Sequence, residues 1–568
     1  MFVKSAWNTY KGKRYQRFYL AESYRDPETG TVRHRHLLNL TALPRHAIDA
    51  VARALREGPT EANGSGELRA GDLKLKAGDS LRGAGVLAIW RWWRLERMED
   101  VLAGCTPAQR QSVFAMVAQR ILQPGSKLSL KEYLADTAFA RLFSAKRLDE
   151  DELYEVMDVL HRDFYEVQKR LYARREQGPF LCLYDLTSTY FEGTEAQGGE
   201  YGHSRDKRWD RYQIVIGLVC DEVGVPLAIE VWPGNTADKT TVVERVRYLK
   251  DRFKIDTAVF VGDAGMYTQT NVEALENAGF DYILRVDWQT QRSQLEALAP
   301  QQLDLFDQYG VVEWMEEGVR YVGCLSEAKR ERARCRRERG MAKAREELAD
   351  LAVTAAKGKY YSWTRLREKV NEILDAAGVK DLWRVDIAYL GKDPGSPEKK
   401  ARLKMSYTPD EQAIERRALL EGLYVLRTSL AACRHDAKKV DEEYRRLQVA
   451  ERTFRHIKSY LKIRPVYHRL DRRIRAHVLI CFLAYYLVKK MELAMRAAGE
   501  SREVEAVLRL WDRLKLTEVA VEAGKYRQRE WQWSLGTLGS KIREEIERLG
   551  WWRSLDAQFR SLSKQLAP

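Results

Sequence analysis

Between residues 179 and 288, three apolar runs follow one another with only short turns between them, and two further runs alternate with helical stretches. The first three lie at 180–183, 214–219 and 225–231, and Asp221-Glu222-Val223-Gly224 reads as a hairpin loop between the second and third. A helical stretch at 239–253 precedes the strand-like Ala258-Val259-Phe260-Val261, and another at 270–278 precedes Tyr282-Ile283-Leu284. A tight hairpin joins antiparallel strands, whereas a crossover helix lets two strands run parallel. The order strand, strand, strand, helix, strand, helix, strand therefore predicts an α/β unit with a mixed sheet.

The rest of the chain is organised around that unit. Residues 1–80 carry short alternating runs such as Arg17-Phe18-Tyr19-Leu20-Ala21, predicting a small β-rich unit with a Gly-rich linker at 64–71. Residues 81–177 turn helical, with Leu87, Trp90, Arg94, Met98 and Val101 at helical spacing, and form the expected DNA-binding region. Helices at 107–122 and 129–137 flank Gln123-Pro124-Gly125-Ser126 like a helix-turn-helix, although two ordinary packed helices are the favoured reading. The core then runs in two parts, 178–289 and 421–498. Between them, 290–420 is an insertion with a charged helix at 327–351 and a turn at 391–395. A single long helix is expected at 437–462, stopped by Pro465. The segment 499–568 reads as a helical tail, with Trp531, Trp533, Trp551 and Trp552 as packing residues.

Composition excludes several classes. The chain has 568 residues and is 45% hydrophobic, too apolar for a disordered protein. Its longest apolar run, 478–488, falls short of the ~20 residues a membrane span needs. Seven cysteines without a Cys-x-x-Cys fit a reducing cytoplasm, and His34 and His36 have no companions spaced to complete a zinc site. An excess of 97 Lys+Arg over 82 Asp+Glu, +15 net, suggests a polyanionic partner.

Two aspartates stand at informative positions, Asp185 ending one apolar strand and Asp263 ending another. A carboxylate at the end of a buried strand is costly unless it is paired or binds metal, and in open α/β sheets that edge collects ligands. One such aspartate is as readily a helix cap; two on one sheet favour a shared cation. Glu451 is the third candidate. Tyr444, Glu451, Arg455, Lys458 and Lys462 fall within roughly 60° of one another on a helix, so they share a stripe. From Tyr444 to Arg475 there are eleven Lys/Arg against two acids, Glu451 and Asp471. Glu451 is then either a salt-bridge partner or a metal ligand ringed by phosphate-binding cations, and oxygen ligands suit magnesium or manganese.

These residues carry a resemblance. Tyr184-Asp185-Leu186-Thr187-Ser188-Thr189-Tyr190-Phe191-Glu192-Gly193 resembles the first-aspartate motif of bacterial insertion-sequence transposases of the DDE type, which have a ribonuclease H-like core. Gly202-His203-Ser204-Arg205-Asp206 and Pro233-Gly234-Asn235-Thr236-Ala237-Asp238 resemble its neighbouring motifs, and Gly262-Asp263-Ala264-Gly265-Met266 its second-aspartate motif. The family's Tyr-Arg-Glu-Lys signature is matched by Tyr444, Glu451 and Lys458, with Leu447 at the arginine position. The stretch from Arg464-Pro465-Val466-Tyr467-His468 to His477 is similar as well. The 188 residues from Asp263 to Glu451 exceed a bare core and require the 290–420 insertion, which similar transposases carry at this point.

The resemblance implies an α/β, ribonuclease H-like mixed-sheet core in which Asp185, Asp263 and Glu451 bind Mg2+, with Mn2+ as a substitute. Tyr444, Arg455, Lys458 and Lys462 would contact DNA. The implied activity is cutting at the insertion sequence's inverted ends and joining the 3′-hydroxyls to target DNA, with a homodimer holding two ends on the bacterial nucleoid. Trp288, Trp314 and Trp363 are candidates to stack on an extruded base, although core packing is favoured for each. The alternatives are a ribonuclease H-like nuclease without strand transfer and a repurposed, non-catalytic DNA binder.

Overall fold

The computed structural model describes residues 2–557 apart from short stretches, the longest being 26–30, 53–60, 140–148, 176–180, 254–257 and 297–305. Phe180, much of the 64–71 linker, the middle of the 391–395 turn and the side chains of Trp531 and Trp533 lie outside the described residues.

The organising element is an eight-stranded mixed sheet. Five of its strands are Leu181–Tyr190, Gln213–Cys220, Pro226–Pro233, Val259–Gly262 and Asp281–Arg285, arranged in space third, second, first, fourth, fifth. The first three pair antiparallel, and the fourth and fifth run parallel to the first. The expected hairpin loop is built on Asp221, whose Oδ1 accepts from the Val223 and Val225 N–H groups at 3.1 and 2.8 Å. Gly224 takes φ +90° there, in the region that favours glycine. This is a ribonuclease H-like core.

Three more strands extend the sheet. Leu423–Thr428 pairs antiparallel with Asp281–Arg285, followed by Val319–Leu325 and Val311–Glu316. The stretch 311–325 belongs to the sheet although the sequence reading assigns it to the insertion. Two six- to seven-residue strands beside a long charged helix were masked by the helix's composition. What stands apart is 327–420: helix Glu327–Lys357, helix Trp363–Ala377 and the antiparallel pair Trp383–Tyr389 and Leu403–Pro409. These close on their own core of Ala344, Leu348, Leu366, Val370, Leu374 and Leu403.

Helices cover both faces of the sheet. Asp238–Phe253 and Gln269–Asn277 cover one, over Tyr184, Val215, Phe260 and Leu284. Leu447–Ser459 and the 27-residue Asp471–Ala497 cover the other, over Leu183, Ile216, Val231 and Ile283. Asp471–Ala497 buries nearly every residue from Ile474 to Val488 because helices Ala84–Leu95, Pro107–Leu122 and Glu150–Arg162 wrap its outer side. Among the described residues no helix is long and apolar enough to cross a membrane.

Two further expectations are corrected. The helix expected at 437–462 is two, Ala437–Arg445 and Leu447–Ser459, because the Arg446 N–H turns back to the Glu443 carbonyl and interrupts the ladder. The tail after 499 is helical at Val504–Trp511 and Thr537–Arg548, but Lys515–Ala523 and Tyr526–Trp533 between them form a hairpin. Val519 and Val521 alternate with Glu518, Ala520 and Glu522, a short period-two strand signal in a region read as helical from its polar average. The hairpin joins strand Leu73–Arg82 from the other side of the core in a second, five-stranded sheet. Phe2–Tyr10, Lys13–Arg25 and Val32–Asn39 form a three-stranded sheet of their own.

Candidate active site

Strand period decides which side chains meet. In Leu181–Tyr190, Cys182, Tyr184 and Leu186 belong to the core on one face, and Leu181 and Leu183 to the core on the other. Asp185 has the parity of Leu183, Asp263 that of Val261 and Arg285 that of Ile283, so all three lie on the second face. Val261 pairs with Leu183 and Gly262 with Leu284 in parallel register. Continuing that register sets Asp263 between Asp185 and Arg285, with strands about 4.8 Å apart. Helix Leu447–Ser459 packs on this face through Leu447, Ala450, Phe454 and Ile457 and leaves Glu451 exposed.

The electrostatics report the same neighbourhood. Burial pushes the Asp185 carboxyl up to about 7; the charges of Asp263 and Glu451 add to the rise, while the Leu186 N–H and Arg205 oppose it. Its Oδ1 accepts from the Leu186 N–H at 2.8 Å. Asp263 is also raised, first by burial and then by Asp238, against the Gly265 N–H, Arg205 and Arg285. Its side chain caps the short turn Ala264–Met266, accepting from the Gly265 N–H at 3.1 Å. Tyr444 is pushed up to about 12, chiefly by burial, with Arg285 opposing and Asp263 and Glu451 contributing. The Tyr444 ring stands 5.6 Å from that of Tyr424.

The three carboxylates gather loosely. Their ligand oxygens do not all lie within 4.8 Å of one another. Three oxygen donors, two of them raised by burial and one of these also by the other two acids, fit hard divalent cations, because a cation among them reverses the repulsion.

The predicted DNA-facing residues divide. Arg455 and Lys462 are exposed, and neither side chain has an ion pair among the described residues. Lys458 instead points into the protein, where its Nζ meets Asp206 Oδ1 at 2.7 Å, and Arg464 meets the same oxygen. Tyr444 is turned into the site. Leu447, at the signature's arginine position, is a core residue, and neighbouring Arg445 is bound to Asp441 at 2.8 Å. Of the tryptophans, Trp314 donates to Gln294 at 3.0 Å and Trp363 to the Ile387 carbonyl at 3.2 Å.

Four residues at the site carried no assigned role in the sequence reading. The Arg205 N–H donates to Ser188 Oγ at 2.9 Å and its guanidinium pairs with Asp238. Both lie in motifs that carried the resemblance. Arg285 ends the fifth core strand and Asp263 follows the end of the fourth, so the strand-end rule would have found Arg285. Asp185, expected at a strand end, instead lies midway along Leu181–Tyr190, because Leu186 to Tyr190 go on pairing with the second strand. Lys329 comes from the start of helix Glu327–Lys357, sits over the Tyr424 ring at 4.8 Å and feels Glu451. No local signal points to Lys329.

Residues 178–487 match the family model described as the transposase DDE domain. Residues 3–66 match the model described as the IS1634 family transposase, N-terminal domain. No curated protein matches the chain. Among solved structures, the chain is similar to one described as a cryo-EM structure of a piggyBac transposase synaptic complex with hairpin DNA, at 10% identity and a TM-score of 0.37, covering 85% of each chain.

Proposed function

The chain belongs to the DDE transposase family, and on that footing we propose that it cuts DNA at the inverted ends of its insertion sequence and joins the freed 3′-hydroxyls to target DNA. The observation that carries the proposal is the row of Asp185 and Asp263 on adjacent parallel strands under the helix bearing Glu451. Asp185, Asp263 and Glu451 are the residues that hold the divalent cations, magnesium first and manganese as a substitute. Bound there, a pair of such cations supplies an activated water or 3′-hydroxyl and stabilises the leaving oxygen of the phosphodiester.

The chain's own residues do the rest. Arg205, anchored through Ser188 and Asp238, holds positive charge beside the aspartates without closing over them. The Tyr444 hydroxyl, raised to about 12, keeps its proton at neutral pH and is a donor for a phosphate oxygen. Exposed Arg455 and Lys462 take backbone phosphates flanking the cut. Lys458 acts at one remove, holding the 203–206 segment through Asp206. The helical segment 81–177 is the DNA-binding region, and a homodimer brings two ends together on the bacterial nucleoid.

The test is cleavage of a plasmid carrying the gene with its native flanks in magnesium, with ends mapped at nucleotide resolution beside a Glu451→Gln control. Matched breaks at inverted ends that vanish in the control, followed by joined products, are expected. Scattered breaks without joining would make the protein a nuclease, and binding without cutting by folded protein would make it a non-catalytic binder.

A further inference from the structure

Helix Leu447–Ser459 carries a second chemical cluster on another face. His456 stands five residues after Glu451, about 140° around the helix, and so turns away from the carboxylate row. There its Nε2 meets Oε1 of Glu505, a residue of helix Val504–Trp511. Glu503, exposed at the N-cap of the same helix and without a side-chain capping bond, completes the group. One ligand atom from each of His456, Glu503 and Glu505 lies within 4.8 Å of the other two. No other three such side chains do so among the described residues.

Proximity of two acids and a histidine does not by itself make a site. The independent observation is Glu505. Its side chain is 1% exposed, and its second oxygen, Oε2, is buried with no hydrogen-bond partner. An ionised carboxylate taken from water with one oxygen unsatisfied is expensive, and such groups are paired or bind metal. The nearby arginines do not supply the missing partner: Arg502 is bound to Glu500 and Glu545, and Arg548 to Glu500. The wall around the imidazole is aromatic, with the Tyr460 and Tyr485 rings 4.9 and 5.3 Å from that of His456. Exposed Glu503 leaves an entry path from solvent.

We propose that His456, Glu503 and Glu505 form a divalent-metal site, distinct from the aspartate row, that clasps helix Val504–Trp511 to the helix bearing Glu451. The donor set names the class of ion. One imidazole nitrogen with two carboxylates is the ligand chemistry of zinc and cobalt, whereas magnesium keeps to oxygen and gives up its waters reluctantly. A metal takes an unprotonated imidazole nitrogen, so uptake weakens in acid.

The experiment uses the full-length chain stripped with a chelator and titrated with Co2+, following visible absorption, and with Zn2+ by calorimetry in excess magnesium. Asp185→Asn protein is titrated in parallel to separate this site from the aspartate row. One equivalent of Zn2+ bound despite magnesium, and a cobalt spectrum unchanged by Asp185→Asn, are expected. Glu503→Gln, at an exposed position that spares the fold, should weaken Zn2+ by more than about tenfold, and His456→Gln should abolish the spectrum. No tight equivalent, an equivalent that follows Asp185→Asn, or binding indifferent to Glu503→Gln would overturn the proposal and leave His456 and Glu505 as an ion pair only.

Discussion

Asp185 and Asp206 are both carboxylates drawn out of water near the same helix, and the chain treats them in opposite ways. Asp206, 4% exposed, is met at 2.7 Å by Lys458 and also by Arg464, so the fold neutralises it from its own sequence. Asp185 is pushed up to about 7, first by burial and then by the charges of Asp263 and Glu451. One acid is paired within the fold; the other has further acids among its neighbours, the arrangement on which the proposed cation site rests. The contrast separates an internally paired carboxylate from the one proposed to react more sharply than position in the sequence does, since both lie in motifs that resemble the family.

Substitutions can break that contrast. The largest expected effect is Asp185→Asn, which should drop plasmid cleavage to background while gel-shift binding of DNA persists; cleavage near the wild-type rate would remove Asp185 from the chemistry. Asp206→Asn should act on the fold instead, leaving two cations without their acid and lowering the unfolding free energy by about 3–5 kcal/mol in urea titrations. Were activity to vanish at full stability, Asp206 would belong with Asp185 and the distinction would fail.

A smaller effect sharpens the contrast through its sign. The Asp185 carboxyl rises from 3.8 to about 7 on folding. Between those values the folded chain holds a proton that the unfolded chain has released, so in chelator stability falls as pH rises through that window. The loss is on the order of 2–4 kcal/mol, and thermal unfolding at pH 4 and pH 8 reads it. Asp185→Asn should shrink the fall, leaving the smaller shares of other buried carboxyls such as Asp512, raised to about 6, and making an inactive protein more stable than wild type at pH 8. The smallest effect belongs to Arg455→Ala, which should reduce the slope of log affinity against log salt by about 0.9 and leave stability unchanged. Lys458→Ala should do the reverse.

Much of this was legible in the sequence because it is local. The strand at 259–262, the Asp221 hairpin and the aspartates at 185 and 263 each announce themselves within a dozen residues. Long-range pairings do not. Lys458 lies 252 residues from Asp206, and helical spacing alone assigned it to the solvent stripe with Arg455. Arg285 is legible by a different route: a base ending a buried strand is as costly as an acid there and marks the same sheet edge. The strands at 311–325 and 515–533 were hidden in stretches of charged composition with no sustained alternation.

The hairpin at 515–533 also bears on how the protein is made. Strand Leu73–Arg82 pairs along one edge with Lys515–Ala523, roughly 430 residues later in the chain. At about 5–20 residues per second a ribosome takes about 20–90 s to cover that distance. Through that interval one edge of the early strand has backbone donors and acceptors and no native strand to take them, the condition under which nascent chains pair wrongly with each other. The exposed interval is bounded by synthesis itself, so slower translation lengthens it, and dense polysomes crowd such edges together.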